Sequence, residues 1–151
     1  RATTKRFNDL ITEERILNLN SFKTSKKYKK DVLNSSKQLR DLVIDLKNKG
    51  NVICGYGAAA KGMTILKCSN IGSELNYFVD DSPAKQGMYS PVDHVPIISR
   101  KSANSKLPDY FIILAPNYSK EIIAKEKKFI ERGGKFIIPK NGVTIFPSLK
   151  Q

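Results

Sequence analysis

A short apolar run that enters a glycine-rich turn and then a helix constrains this chain more than any other feature. Val52-Ile53-Cys54 leads directly into Gly55-Tyr56-Gly57-Ala58-Ala59-Ala60-Lys61-Gly62. The apolar triplet reads as a buried strand and Ala58 to Cys68 as a helix, which is the context a G-x-G-x-x-G/A pattern requires. In such a turn Gly55 permits the sharp bend, Gly57 lets backbone approach a phosphate, and Ala60 keeps the helix close to the sheet. Free N–H groups at the helix start then face any bound anion, with the helix dipole favouring negative charge. Lys61 sits on that first turn, where it opposes the dipole, and an anionic ligand nearby would offset the conflict. The same residues also serve as a plain strand-to-helix turn with Lys61 in solvent, so the motif alone leaves both readings open.

The rest of the chain repeats this grammar. Tyr77-Phe78-Val79 reads as a second strand ending on Asp80-Asp81, followed by a polar loop from Ser82 to Asp93. Val95 to Ile98, Tyr110 to Ala115 and Lys135 to Ile138 read as further strands, and Gly142 to Phe146 as an edge strand. A helix is expected from about Ser119 to Glu131, stopped by Gly133-Gly134. Continuous apolar strands separated by helices are the signature of a buried parallel sheet, and right-handed crossovers make it doubly wound. The expected fold is therefore α/β, Rossmann-like, with a mainly parallel sheet. Two amphipathic helices precede it. Phe7, Leu10, Ile11 and Leu17 share one face of the first; Tyr28, Val32, Leu39, Leu42, Val43 and Leu46 share one face of the second, which runs from about Ser25 to Lys49. Residues 1–50 are read as a helical lead-in packed on a domain of residues 51–151.

Several side chains fall at the C-terminal edge of the expected sheet, where open α/β sheets bind ligands. In a dinucleotide site an acidic residue roughly 20 residues beyond the first glycine accepts hydrogen bonds from ribose hydroxyls. Asp80 has that address, with Asp81 as rival and a turn-capping role open to one of the pair. In the following loop Lys85 suits a phosphate and Tyr89 a base or sugar face, although both also suit an ordinary loop. His94 precedes a strand and suits either a proton shuttle or a structural contact. Asn117 follows the strand ending at Ala115, where its amide suits a ligand or the cap of the next helix.

Composition removes several classes. Cys54 and Cys68 are the two cysteines and His94 the one histidine, too few and too dispersed for a usual zinc site or a disulfide scaffold. Both thiols are expected to be reduced and packed. No apolar stretch approaches the roughly 18–20 residues that cross a bilayer, and no signal pattern opens the chain, so a cytoplasmic location without a membrane partner is expected. The net charge is +13, with its densest point at Lys23, Lys26, Lys27, Lys29 and Lys30 around Tyr28. Such a field attracts nucleic acid, nucleotide phosphates or an acidic surface, and it also describes an ordinary lysine-rich helix. Arg1, Arg6, Arg15, Arg40, Arg100 and Arg132 are the only arginines. Arginine reads base edges bidentately, so this composition argues against a nucleic-acid module.

An ordered set of motifs resembles one family. Gly55 to Gly62 is followed by Val79-Asp80 with Pro83, by Lys85-Gln86-Gly87, and by His94-Val95-Pro96-Ile97. Then come Pro108-Asp109-Tyr110, Ile113-Leu114-Ala115 with Asn117, and Gly133-Gly134-Lys135-Phe136-Ile137-Ile138-Pro139. This order is similar to the C-terminal domain of S-adenosylmethionine-dependent sugar C-methyltransferases, and Glu13-Glu14-Arg15 with the helix around it resembles that family's lead-in. The resemblance implies a Rossmann-like domain that helps hold a nucleotide-linked deoxysugar of the dTDP type. Gly55, Tyr56, Gly57, Ala58, Ala59, Lys61, Asp80, Lys85, Tyr89, His94 and Asn117 would be its contacts, and none of them catalytic. It also implies a preceding methyltransferase domain as partner, carrying zinc and S-adenosylmethionine, with no cofactor on this part. Arg1 in place of Met fits an excised domain, expected to be inactive alone.

The chain departs from the family pattern at Met63 and Met88, where Asn and Arg are usual, so the sugar or its pose is open. Two other classes remain: a free-standing dinucleotide-binding domain, which would share the glycine turn and Asp80, and a basic interaction module built on Lys23 to Lys30.

Overall fold

Why the strands bury both faces follows from their alternation. Ile53, Tyr110, Ile112, Leu114, Phe78, Ile97 and Ile137 join one apolar cluster, while Cys54, Tyr56, Phe111, Ile113, Val79 and Phe136 join a second. Successive side chains on a strand point to opposite faces, so runs without polar interruption need cover on both sides. In the computed structural model, which describes residues 3–140 and 142–148, that cover is supplied by helices.

The sheet contains strands β1 (Ile53–Tyr56), β2 (Phe78–Val79), β3 (Ile97–Ile98), β4 (Tyr110–Ile113), β5 (Lys135–Pro139) and β6 (Val143–Phe146). Their spatial order is β3-β2-β1-β4-β5-β6; the first five are parallel and β6 is antiparallel to β5. This is the Rossmann-like doubly wound order, with the direction of winding reversing beside β1. Helices α1 (Lys5–Ile16) and α2 (Phe22–Asn48) precede the sheet, and α3 (Ala60–Ser69) links β1 to β2. The first cluster contains Leu39, Val43 and Leu46 of α2 and Leu66 of α3.

The expected helix from Ser119 to Glu131 is two helices. α4 (Ser119–Lys125) and α5 (Lys127–Glu131) are separated by Glu126 at φ −102° and ψ 30°. The break coincides with burial of the Glu126 carboxylate, which receives Arg100 Nε at 2.8 Å and Nη2 at 2.7 Å and the Tyr56 hydroxyl at 2.9 Å. A buried carboxylate needs such partners, and the bidentate guanidinium supplies the charge.

The chain divides into two compact units, residues 1–34 and 35–151, so the division falls within α2 and not at residue 50. In the first unit α1 buries none of its residues, and Thr4 caps its start by accepting the Phe7 N–H. Phe7, Leu10, Leu17, Tyr28 and Leu33 are exposed. In the second unit the C-terminal part of α2 belongs to the core. No helix among the described residues is long and apolar enough to cross a membrane.

Candidate functional site

The glycine turn leaves the C-terminal end of β1 at the reversal point of the sheet, with the β4 exit beside it. Leu114 N–H donates to the Tyr56 carbonyl at 2.9 Å, and a Cβ on Gly57 would lie 3.6 Å from Ala115 Cβ. Gly57 has φ +86°, a conformation that favours glycine, and it makes the bend. Gly55 does not bend: it lies inside β1, where a Cβ would fall 2.5 Å from Phe78 Cδ1 and 2.8 Å from Leu114 Cδ1. The close approach of helix to sheet belongs to Gly62 and not to the exposed Ala60. A Cβ on Gly62 would meet Leu114 Cβ at 2.5 Å and the Leu114 carbonyl oxygen at 2.7 Å. A glycine inside a helical pattern was the available signal for that contact.

Ala59 is the N-cap of α3 and offers no capping side chain, so the first-turn N–H groups have no side-chain acceptor from the cap. Lys61 is exposed on this turn and has no ion-pair partner among the described residues. Asn117 lies in a 3-10 turn, Pro116–Tyr118, just beyond β4; it is exposed and caps neither that turn nor α4. Gly57, Ala58, Ala59, Lys61 and Asn117 therefore share one edge of the sheet.

Asp80 joins that edge through its carboxylate. Its Oδ2 accepts the Ala58 N–H at 2.7 Å and Lys85 Nζ at 3.2 Å, and its Oδ1 accepts the Ser82 N–H at 2.9 Å. Lys85 Nζ also donates to the Ala58 carbonyl at 2.9 Å, and Gln86 Nε2 donates to the Asp80 carbonyl at 2.9 Å. Burial works to raise the Asp80 pKa, but the hydrogen bonds from Ser82, Lys85 and Ala58 outweigh it and hold the carboxyl below its ordinary value. Asp81 points elsewhere, pairing with Lys125 at 2.6 Å.

Other candidates are not brought to this edge by their side chains. Tyr56 packs edge-on against Phe111 within the second cluster. Burial and the neighbouring Glu126 charge push its pKa upward. Its alternation with Cys54 along β1 was the sequence signal for this inward placement. Tyr89 bridges Pro96 on the outer margin of the sheet. His94 precedes β3 and so stands at the opposite, N-terminal edge, exposed at φ 49°; adjacent Asp93 packs against Gly72, between α3 and β2. The two thiols also differ. Cys54 is buried, and burial pushes its pKa up to about 11, whereas Cys68 is exposed and not packed as expected. Among the described residues no three His, Cys, Asp or Glu side chains gather to hold a metal ion.

Together these features define a Rossmann-like α/β domain whose glycine turn presents helix N–H groups and a lysine at the point where such sheets receive ligands. Residues 1–140 match the family described as the C-methyltransferase C-terminal domain, and the chain belongs to that family. It is similar to "C-methyltransferase NovU" of Streptomyces niveus, 41% identical over 103 residues. That segment is 68% of this chain and 24% of the relative, so the chain matches only a minor part of that curated protein.

Proposed function

We propose that this chain is the nucleotide-sugar-binding domain of an S-adenosylmethionine-dependent C-methyltransferase, acting on a dTDP-type deoxysugar, with the methyl donor held by a preceding domain. The observation that carries the reading is the convergence of the α3 first turn, Lys61 and Asn117 at the sheet's reversal point in a member of this family. Helix N–H groups and a flexible ammonium suit a diphosphate, and an amide suits sugar or phosphate oxygens.

The chemistry divides accordingly. Carbon methylation beside a sugar ketone needs a base, stabilisation of the enolate and an aligned methyl group. S-adenosylmethionine supplies the electrophilic methyl group when bound. This chain's share is to anchor and orient the substrate by its diphosphate, which holds the reacting carbon near groups carried elsewhere.

Calorimetric titration of the 151-residue chain with dTDP, dTDP-glucose and S-adenosylmethionine tests this. The two nucleotides are expected to bind, S-adenosylmethionine to give no heat, and Lys61→Ala to weaken dTDP about tenfold, as loss of one charge-assisted contact does. Saturable binding of S-adenosylmethionine without binding of dTDP would overturn the reading.

A further inference from the structure

Asp80 occupies the position from which a dinucleotide-binding carboxylate reaches the ribose, yet most of its lone pairs are already engaged. A carboxylate offers about four acceptor sites. Three donors from this chain approach Asp80: Ala58 N–H, Ser82 N–H and Lys85 Nζ. Its side chain is only 11% exposed. A ribose diol takes two acceptor sites and only one is left, so it would have to displace a donor; Lys85, the side-chain donor of the three, also holds the Ala58 carbonyl.

Both backbone polar groups of Ala58 are thus held, its N–H by Asp80 and its carbonyl by Lys85, which fixes the peptide units on either side of it. Ala58 stands between Gly57, where the chain bends, and Ala59, the N-cap of α3. Its orientation sets the direction in which the first-turn N–H groups of α3 point. Gln86, by holding the Asp80 carbonyl, folds the same loop onto the end of β2. An ammonium has three donors, so Lys85 keeps one for an oxygen outside the clasp.

Resting on the diphosphate reading above, we infer that Asp80 is a positioning residue: with Lys85 it clasps the Ala58 backbone and sets the glycine turn for a diphosphate, and it is not a ribose ligand. A residue that touches ribose discriminates between ligands with and without a sugar. A residue that sets the turn does not.

The test uses the 151-residue chain and its Asp80→Asn, Lys85→Met and Lys85→Arg variants. Amide hydrogen exchange is followed at Ala58 without ligand, and affinities are measured for dTDP, for UDP, which carries the ribose diol that dTDP lacks, and for inorganic pyrophosphate. Asp80→Asn and Lys85→Met are expected to speed exchange at Ala58 while leaving Phe111 in β4 protected, and Lys85→Arg to restore protection. Asp80→Asn is expected to weaken dTDP, UDP and pyrophosphate by the same factor, on the order of tenfold. Unchanged Ala58 exchange in both clasp variants, or a loss confined to UDP, would overturn the inference. If the unsubstituted chain binds none of the three probes, the diphosphate reading fails, and Ala58 exchange still decides whether the clasp exists. Should Asp80→Asn not fold, Lys85→Met gives the same exchange readout.

Discussion

Helix α2 carries one amphipathic pattern through two different environments. In residues 1–34 Tyr28 is 72% and Val32 36% exposed; in residues 35–151 Leu39 and Val43 are essentially fully buried. Helical spacing of apolar residues therefore shows which side of a helix is able to pack, and the presence of a sheet face decides whether it does. The same contrast separates chemistry from surface. Lys23 to Lys30 is the densest basic segment, but the polar groups that converge at a ligand-accepting edge all belong to the second unit.

The comparison breaks most visibly at Glu126. Glu126→Ala leaves Arg100 and the Tyr56 hydroxyl without their buried acceptor, and about 3–5 kcal/mol of stability is expected to be lost, read by urea unfolding. Leu39→Ala should cost about 2–5 kcal/mol by the same measurement, whereas Tyr28→Ala, earlier on the same face of the helix, should stay within about 0.5 kcal/mol. Equal costs for the two substitutions would erase the distinction between the units.

Acid unfolding sharpens the picture at the site. The Asp80 carboxyl is held low in the folded chain, so its contribution is fully present above the unfolded Asp value of about 4 and is lost as pH falls through the lower folded value. Asp80→Asn is expected to flatten the stability profile below about pH 4. The smallest effect is expected from removing residues 1–34: a chain starting at Ser35 should keep a cooperative transition, because every residue buried among those described lies beyond that point. Thiol labelling gives a further contrast within the second unit, with exposed Cys68 alkylated in the native chain and Cys54 only on unfolding.

The sheet was legible because its strands are apolar on both faces and separated by helical spacing, which leaves few alternatives to a doubly wound order. A bend was legible in the glycine turn but was given to Gly55, whereas Gly57 makes it. Gly55 lies against Phe78 and Leu114, and the close packing expected of Ala60 belongs to Gly62 against Leu114, neighbours that adjacent sequence does not reveal. The break at Glu126 was hidden for a similar cause. Ile122, Ile123, Phe129 and Ile130 keep helical spacing across it, and only Arg100 and Tyr56 make burial of a carboxylate there sustainable. Asp80 was found by its address, but its bonds were not. They depend on the loop of residues 82–86 folding back over the glycine turn, which is a tertiary event.

The central claim is that a nucleotide diphosphate is received at the glycine turn of the second unit. It is tested most directly by backbone amide chemical shifts of the 151-residue chain during titration with dTDP. The account predicts saturable shifts concentrated at Gly57 to Gly62 and Asn117, with Lys23 to Lys30 unchanged. Shifts confined to Lys23 to Lys30, or none at the glycine turn at saturating dTDP, would contradict it.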